Sequence, residues 1–441
     1  MKKKVVLSIF IILISFLQNS CGSKRISKKI IVASSGKIES LDPARANTLK
    51  AIQLISSLGD TLYELNSDGE LIPELASGMP IISKDRLQIT INLRKNVFFH
   101  DGTSFNSNAI KFTFDRFKRI GTMNYILGNK IKSIETPSEY SVIINLNKPS
   151  SSLNGLLTSV NLTPISPTFY KQYSDKFLNE KFVGTGKYVL TSFSNEVQSI
   201  DPYLNYWGEK PLNKGVNFVG YSNSSSLFGA LKSKQIDVLL SNSIDDSQRK
   251  SLNNLSKNKQ FNEGNSPFTE LSFISLKTSS YPLSNLNLRL ALAKSLNRKL
   301  ISEKVSYGLR KPSRSIIPPI LKKDNQELWP KYDYLEARRL LQKENYCNGN
   351  ILKIPLTYRS NVPADKLIAL TWQEEIKSSL KDCIDIELNG VESTTVYKNL
   401  SLGIYTAVIL DWTGAYSDPE AYLTPLLSCN EIVDGICKKG E

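Results

Sequence analysis

The chain has 441 residues, 40% hydrophobic and 22% charged, with 23 Gly and 19 Pro; this excludes a disordered chain or fibrous repeat and leaves room for two or three core-bearing units. A single histidine, His100, excludes two-histidine zinc motifs, and neither a G-x-S-x-G elbow nor a G-x-x-x-x-G-K-[ST] phosphate loop occurs. Of the formal charge of +15, Lys2, Lys3, Lys4, Lys24, Arg25, Lys28 and Lys29 supply +7, and the other +8 is spread without the dense basic stripe that nucleic-acid binding needs.

Lys2 to Lys4 form a positive start, and Val5 to Leu17 are apolar except for Ser8 and Ser15. A membrane-spanning helix needs about 20 apolar residues, so this run reads as an export signal. Cys21, between Ser20 and Gly22, resembles the lipidated cysteine of bacterial lipoproteins. That resemblance implies a leader over residues 1–21, acyl chains at Cys21 that hold the protein to a membrane surface, and a polar tether from Ser23 to Lys29. Gln18 stands where an aliphatic residue is usual, so ordinary cleavage and a retained anchor stay open as alternatives.

Along the rest of the chain, short strand-like runs alternate with helical ones, which is mixed α/β material. Leu87–Leu93 and Ser141–Leu146 alternate as strands do. The Ser- and Asn-rich stretches Tyr221–Ser226 and Ser241–Lys259 read as surface loops. Leu288, Leu292, Leu296 and Leu300 predict one helix from Ser284 to Gly308, and Asp333 with Glu336 predicts a capped helix running through Leu341. Ile351–Tyr358 and Ile384–Leu388 read as strands joined by a helix over Ala364–Leu380, with Leu367, Leu370 and Ile376 on its apolar side. Such a crossover makes the strands parallel, so Cys347 and Cys383 start at the same end of the sheet and are candidates to pair. Cys429 and Cys437 would close a small loop; free thiols are the alternative for all four.

Eight dispersed segments, in order, resemble the family 5 extracellular solute-binding proteins of bacterial ABC importers. They are Ser40-Leu41-Asp42-Pro43, Leu62-Tyr63-Glu64, Ile72-Pro73-Glu74-Leu75-Ala76, Leu93-Arg94 leading to Phe99-His100-Asp101-Gly102, Gly184-Thr185-Gly186, Asn205-Tyr206-Trp207, Leu231–Asp237 with Leu288–Ile301, and Trp412–Pro419. The resemblance implies an α/β, two-lobed periplasmic-binding-protein-like fold of type II with an extra inserted small domain. Residues 22–58 and 183–268 would form lobe 1, residues 59–182 the insertion, and residues 269–441 lobe 2. The family continues past the D-P segment, so the resemblance also implies an incomplete C-terminal part at Glu441. Met79, Lys187, Lys234 and Ala415 depart from the family pattern.

Such a protein closes its lobes on a solute and presents the closed form to the importer's permease subunits, without a cofactor and without catalysis. In peptide-binding relatives the main chain of both lobes clamps the ligand; by position Ser35, Gly36 and Lys37 and Trp412, Thr413, Gly414, Ala415 and Tyr416 match those stretches. Ala415 stands where an aspartate neutralises the peptide's amino group, so either Asp418 or Asp411 takes that role or the ligand lacks a free amine. Trp412 and Tyr416 are either pocket-lining or core residues. His100 is expected to stabilise a turn and Gly184 with Gly186 to redirect the chain between lobes. The implied solute is a small peptide or peptide-like molecule, with no metal site, and the expected protein is a monomer, lipid-anchored on the extracytoplasmic (periplasmic) side of a membrane. A non-transporting sensor of the same fold and an exported hydrolase are the alternatives, the latter lacking any visible nucleophile and base.

Overall fold

The first strand belongs to the larger of two sheets that dominate the computed structural model, which describes residues 29–440 apart from 47, 67–68, 128–129, 176–177, 241–242, 265–268, 280, 322–325, 401 and 434–435. The expected leader and Cys21 lie outside the described residues. The sheet is ordered β11 (Val238–Leu239), β1 (Ile30–Ser35), β10 (Val216–Tyr221), β9 (Val197–Pro202) and β8 (Tyr188–Phe193), with β1 parallel to β10 and β11 and the others antiparallel.

Beyond the helix Leu49–Leu58 the chain leaves for a second unit. It holds the hairpin β2 (Tyr63–Leu65) and β3 (Leu71–Pro73), and a four-stranded antiparallel sheet ordered β4 (Ile81–Ile82), β5 (Gln88–Asn92), β7 (Ser141–Leu146) and β6 (Ile131–Ser138). The expected alternation appears directly: β7 buries Val142, Ile144 and Leu146 and leaves the residues between them half-buried. These side chains join one cluster with Phe114 and Phe117 of the helix Ser107–Ile120. Asp42 of the L-D-P segment is fully buried and takes two 2.6 Å hydrogen bonds from Arg116 on that helix, tying the helix to the segment that follows β1. The chain returns at Gly184 to Gly186. A Cβ on Gly186 would overlap the Leu58 carbonyl carbon and stand 2.5 Å from the Gly59 nitrogen, so the glycine is needed for close backbone approach.

The second large sheet is ordered β12 (Glu270–Leu276), β15 (Ala407–Thr413), β13 (Leu352–Arg359) and β14 (Ile384–Val391), with β13, β14 and β15 parallel and β12 antiparallel to β15. The crossover helix Pro363–Ser379 joins β13 to β14 as the pattern predicts, and Cys347 and Cys383 are disulfide-bonded at the start of the two strands. The buried face of that helix differs from the expected one: Ile368, Ala369, Trp372 and Ile376 face the core, while Leu367 and Leu370 are exposed. Cys429 is also disulfide-bonded, in the hairpin β16 (Cys429–Val433) and β17 (Ile436–Gly440), but the side chain of Cys437 lies outside the described residues.

Two expectations are corrected by side-chain caps. The helix predicted from Ser284 to Gly308 is two helices, Leu286–Ser295 and Arg298–Ser306, because the Asn297 side chain accepts the Leu300 N–H and starts a new helix where the leucine period suggested continuity. The supposed Ser/Asn-rich loops are helix starts: Asn223 caps Ser224–Lys232, and Asp245 with Gln248 forms a capping box on Asp246–Lys257. The segment after β15 does not stay with the second sheet. Tyr416, Ala421 and Tyr422 are buried in the insertion's own cluster, and Glu420 pairs with Lys130 at 2.8 Å.

Candidate functional site

In open α/β sheets ligands sit beyond the carboxyl ends of the parallel strands, so the site is built from the segments just past β1, β10 and β11 on one side and past β13 and β15 on the other. On the first side, Gly36 adopts φ +77°, which favours glycine, and its N–H donates to Tyr221 O at 2.8 Å. A Cβ on Gly220 would come within 2.7 Å of Gly36 O, so glycine on β10 lets the loop lie down on the strand. The Ser35 carbonyl accepts from Lys50 Nζ, and Lys37 is exposed.

On the second side, Arg359 ends β13 with its guanidinium almost wholly buried. Nε and Nη2 bond Asp365 at 2.7 and 3.1 Å, Nη1 and Nη2 bond Asp411 at 2.8 and 2.9 Å, and Nη1 also donates to the Tyr397 hydroxyl at 2.6 Å. All five guanidinium donors are thereby used. Asp411 is thus already paired and is not a free receptor for a ligand amine. Arg310 Nε bonds Asp246 at 3.0 Å, joining the segment after Arg298–Ser306 to the helix Asp246–Lys257, and its Nη1 lies 3.6 Å from Glu270 at the start of β12.

Trp412 to Asp418 bridge the second sheet and the insertion. The Trp412 indole donates to Ala421 O at 2.8 Å and packs against the insertion's cluster, and Tyr416 is buried in it. Gly414 is crossed by Tyr422, whose Cε2 would stand 2.7 Å from a Cβ there, and Thr413 is exposed. Ala415 O accepts from Ser159 Oγ at 3.4 Å. Asp418 accepts the Glu420 N–H at 2.8 Å and lies against Gly155, and burial raises its carboxyl above the usual range. Among the described residues no hydrogen bond joins Ser35–Lys37 to Trp412–Asp418. Sequence reasoning missed Lys50, Arg359 and Arg310, because nothing local marks a cation whose partners lie elsewhere in the chain.

His100 is not placed for chemistry. Its Nε2 bonds Gly186 O at 3.0 Å, its backbone N–H donates to Gly184 O, and burial pulls its pKa down to about 4. It is half-buried in a turn, as the sequence suggested. Asp60 accepts from Thr185 Oγ1, Tyr206 OH and Trp207 Nε1, so the G-T-G and N-Y-W segments serve one buried junction.

Residues 70–434 match the family described as bacterial extracellular solute-binding proteins, family 5 middle. The chain belongs to that family. The glutathione-binding protein GsiB of Escherichia coli O6:K15:H31 is 26% identical over 360 residues, which cover 80% of this chain and 69% of that protein. Among solved structures, NikA from Brucella suis in complex with Fe(III)-EDTA superposes with a TM-score of 0.80 at 23% identity, covering 93% of this chain and 83% of NikA. DppA from Helicobacter pylori in complex with the peptide STSA superposes with a TM-score of 0.73 at 23% identity, covering 89% of this chain and 80% of DppA. The fold is therefore the two-lobed one of periplasmic binding proteins, and the family that of the solute-binding proteins of ABC importers rather than of enzymes.

Proposed function

We propose that this family 5 member is the substrate-binding lipoprotein of an ABC importer, which captures a peptide-like solute between its lobes and delivers it to the membrane permease. The observation that carries this reading is the match to the family over residues 70–434; it is supported by the position of Ser35–Lys37 at the carboxyl end of β1 and of Arg359, Asp411 and Trp412 at those of β13 and β15. Capture requires that the solute bind the closed arrangement more tightly than the open one; only that difference moves the equilibrium.

The charge accounting at the second wall narrows the solute. Asp411 is committed to Arg359, Asp418 has one oxygen on the Glu420 N–H, and position 415 is an alanine. An ammonium buried there without a carboxylate costs several kcal/mol, so the bound solute does not depend on a free α-amine. Calorimetry of the purified protein with dipeptides, the same dipeptides N-acetylated, and glutathione tests this. Equal affinity for free and acetylated forms is expected; strict dependence on the free amine, abolished by Asp418→Asn, would restore an ordinary peptide receptor with Asp418 as its amine partner. The anchor is tested separately: labelling with a radioactive fatty acid is expected in the native protein and lost in Cys21→Ala.

A further inference from the structure

At the carboxyl end of β1 sits a cation that, among the described residues, has no carboxylate in direct ion-pair contact, with Glu39 acting on it only through its charge. Lys50, in the first turn of the helix Leu49–Leu58, folds back so that Nζ donates to Ser35 O at 2.5 Å and stands 2.6 Å from where a Cβ on Gly36 would be. A side chain at position 36 would push the ammonium aside. An ammonium carries three donors; among the described residues Ser35 O is its hydrogen-bond acceptor, and no carboxylate oxygen lies within ion-pair distance. Burial lowers its pKa from the usual lysine value, with the charge of Glu39 opposing that shift. Lys50 lines a small recess together with Ser34, Lys37, Asn195, Gln198, Phe218 and Gly220.

We propose that this recess is an anion-receiving subsite, in which Lys50 takes a carboxylate of the bound solute between its two unused N–H donors and Lys37 adds a second positive charge at the rim. The assignment rests on the peptide-like reading above and specifies which end of the solute lobe 1 holds. Its chemistry is simple. A partly desolvated ammonium whose one acceptor is an uncharged carbonyl gains, when a carboxylate arrives, a hydrogen bond in which both partners are ionised. Asn195 and Gln198 supply amide groups in the recess, and Phe218 gives it an apolar wall.

A purely structural role for Lys50, pinning the Ser35 loop, predicts a different outcome, and the test separates the two. A mixed dipeptide library and the same library as C-terminal amides are titrated into the native protein, Lys50→Met and Lys50→Arg, with folding of each checked by its melting curve. The native protein is expected to prefer the free carboxylates; Lys50→Met is expected to lose about tenfold or more in affinity for them while the amides bind as before, and Lys50→Arg to keep the preference. A Lys50→Met protein that keeps the native preference, or weakens acids and amides alike, overturns the subsite. Failure of the native protein to bind either library overturns the peptide-like reading itself, and the subsite with it.

Discussion

At the scale of single residues, the charges that matter are buried, paired and far apart in sequence. Arg359 reaches Asp365 six residues on and Asp411 fifty-two residues on, so no local pattern announces the cluster. Replacing Arg359 with methionine leaves Asp365 buried without its cation; a loss of about 3–5 kcal/mol is expected, read as a lowered midpoint in urea unfolding. Two titrating groups act in opposite directions. His100 has its pKa lowered from 6.5 to about 4, so the folded state takes up its proton later than the unfolded chain: its share of stability is present above pH 6.5 and is lost as pH falls towards 4. Glu74 is raised from 4.5 to about 7, mainly by burial and then by neighbouring Asp60; its share is present below pH 4.5 and is lost as pH rises through 7. Melting curves from pH 4 to 8 check both signs. His100→Gln should flatten the acid side, and Glu74→Gln should raise the melting temperature at pH 8, each by the equivalent of about 1–2 kcal/mol.

Elements are legible where their signal is local. The alternation in Ser141–Leu146 places β7, and the strands Leu352–Arg359 and Ile384–Val391 are parallel, as the helical crossover between them allows and a short turn would not. The departures share one cause. Hydrophobic period hides caps: Asn297 lies inside a leucine repeat, and Asp245 with Gln248 inside a polar stretch, yet each starts a helix. Asn297→Ala is expected to cost about 1 kcal/mol, since the Leu300 N–H loses its acceptor and a continuous helix would misdirect Arg298–Ser306. At the other end of the lobe, the Cys347–Cys383 bridge closes a loop of 36 residues. In the chain-entropy account a loop of that size contributes about 3–4 kcal/mol, so the Cys347→Ala/Cys383→Ala protein should unfold at markedly lower denaturant.

For the whole molecule the question is how two lobes are held and released. Arg310 follows the helix Arg298–Ser306, where its backbone N–H donates to Ser306 Oγ, and its side chain crosses to Asp246 at the start of the helix Asp246–Lys257. A half-exposed ion pair of this kind contributes about 1 kcal/mol or less, enough to tilt an equilibrium between two lobe arrangements several-fold without fixing it. Arg310→Gln is expected to shift the unliganded small-angle scattering profile, and added salt to shift the native profile in the same direction; identical profiles would remove the pair from the closure mechanism. The segment from Trp412 to Leu427 ties the second sheet to the insertion through Tyr416 and Tyr422, so motion of either lobe must work around that strap.

The sequence by itself determined the class of fold, the family and most of the elements, because those depend on the order of apolar, capping and turn residues along the chain. Only the tertiary structure decided that Asp411 is spoken for, that Asp418 closes a turn, and that Lys50 lies over Gly36. Whether a charged group is free to meet a ligand depends on which partners folding brings within about 3 Å, and for these residues the chain folds the deciding atoms together from distant positions.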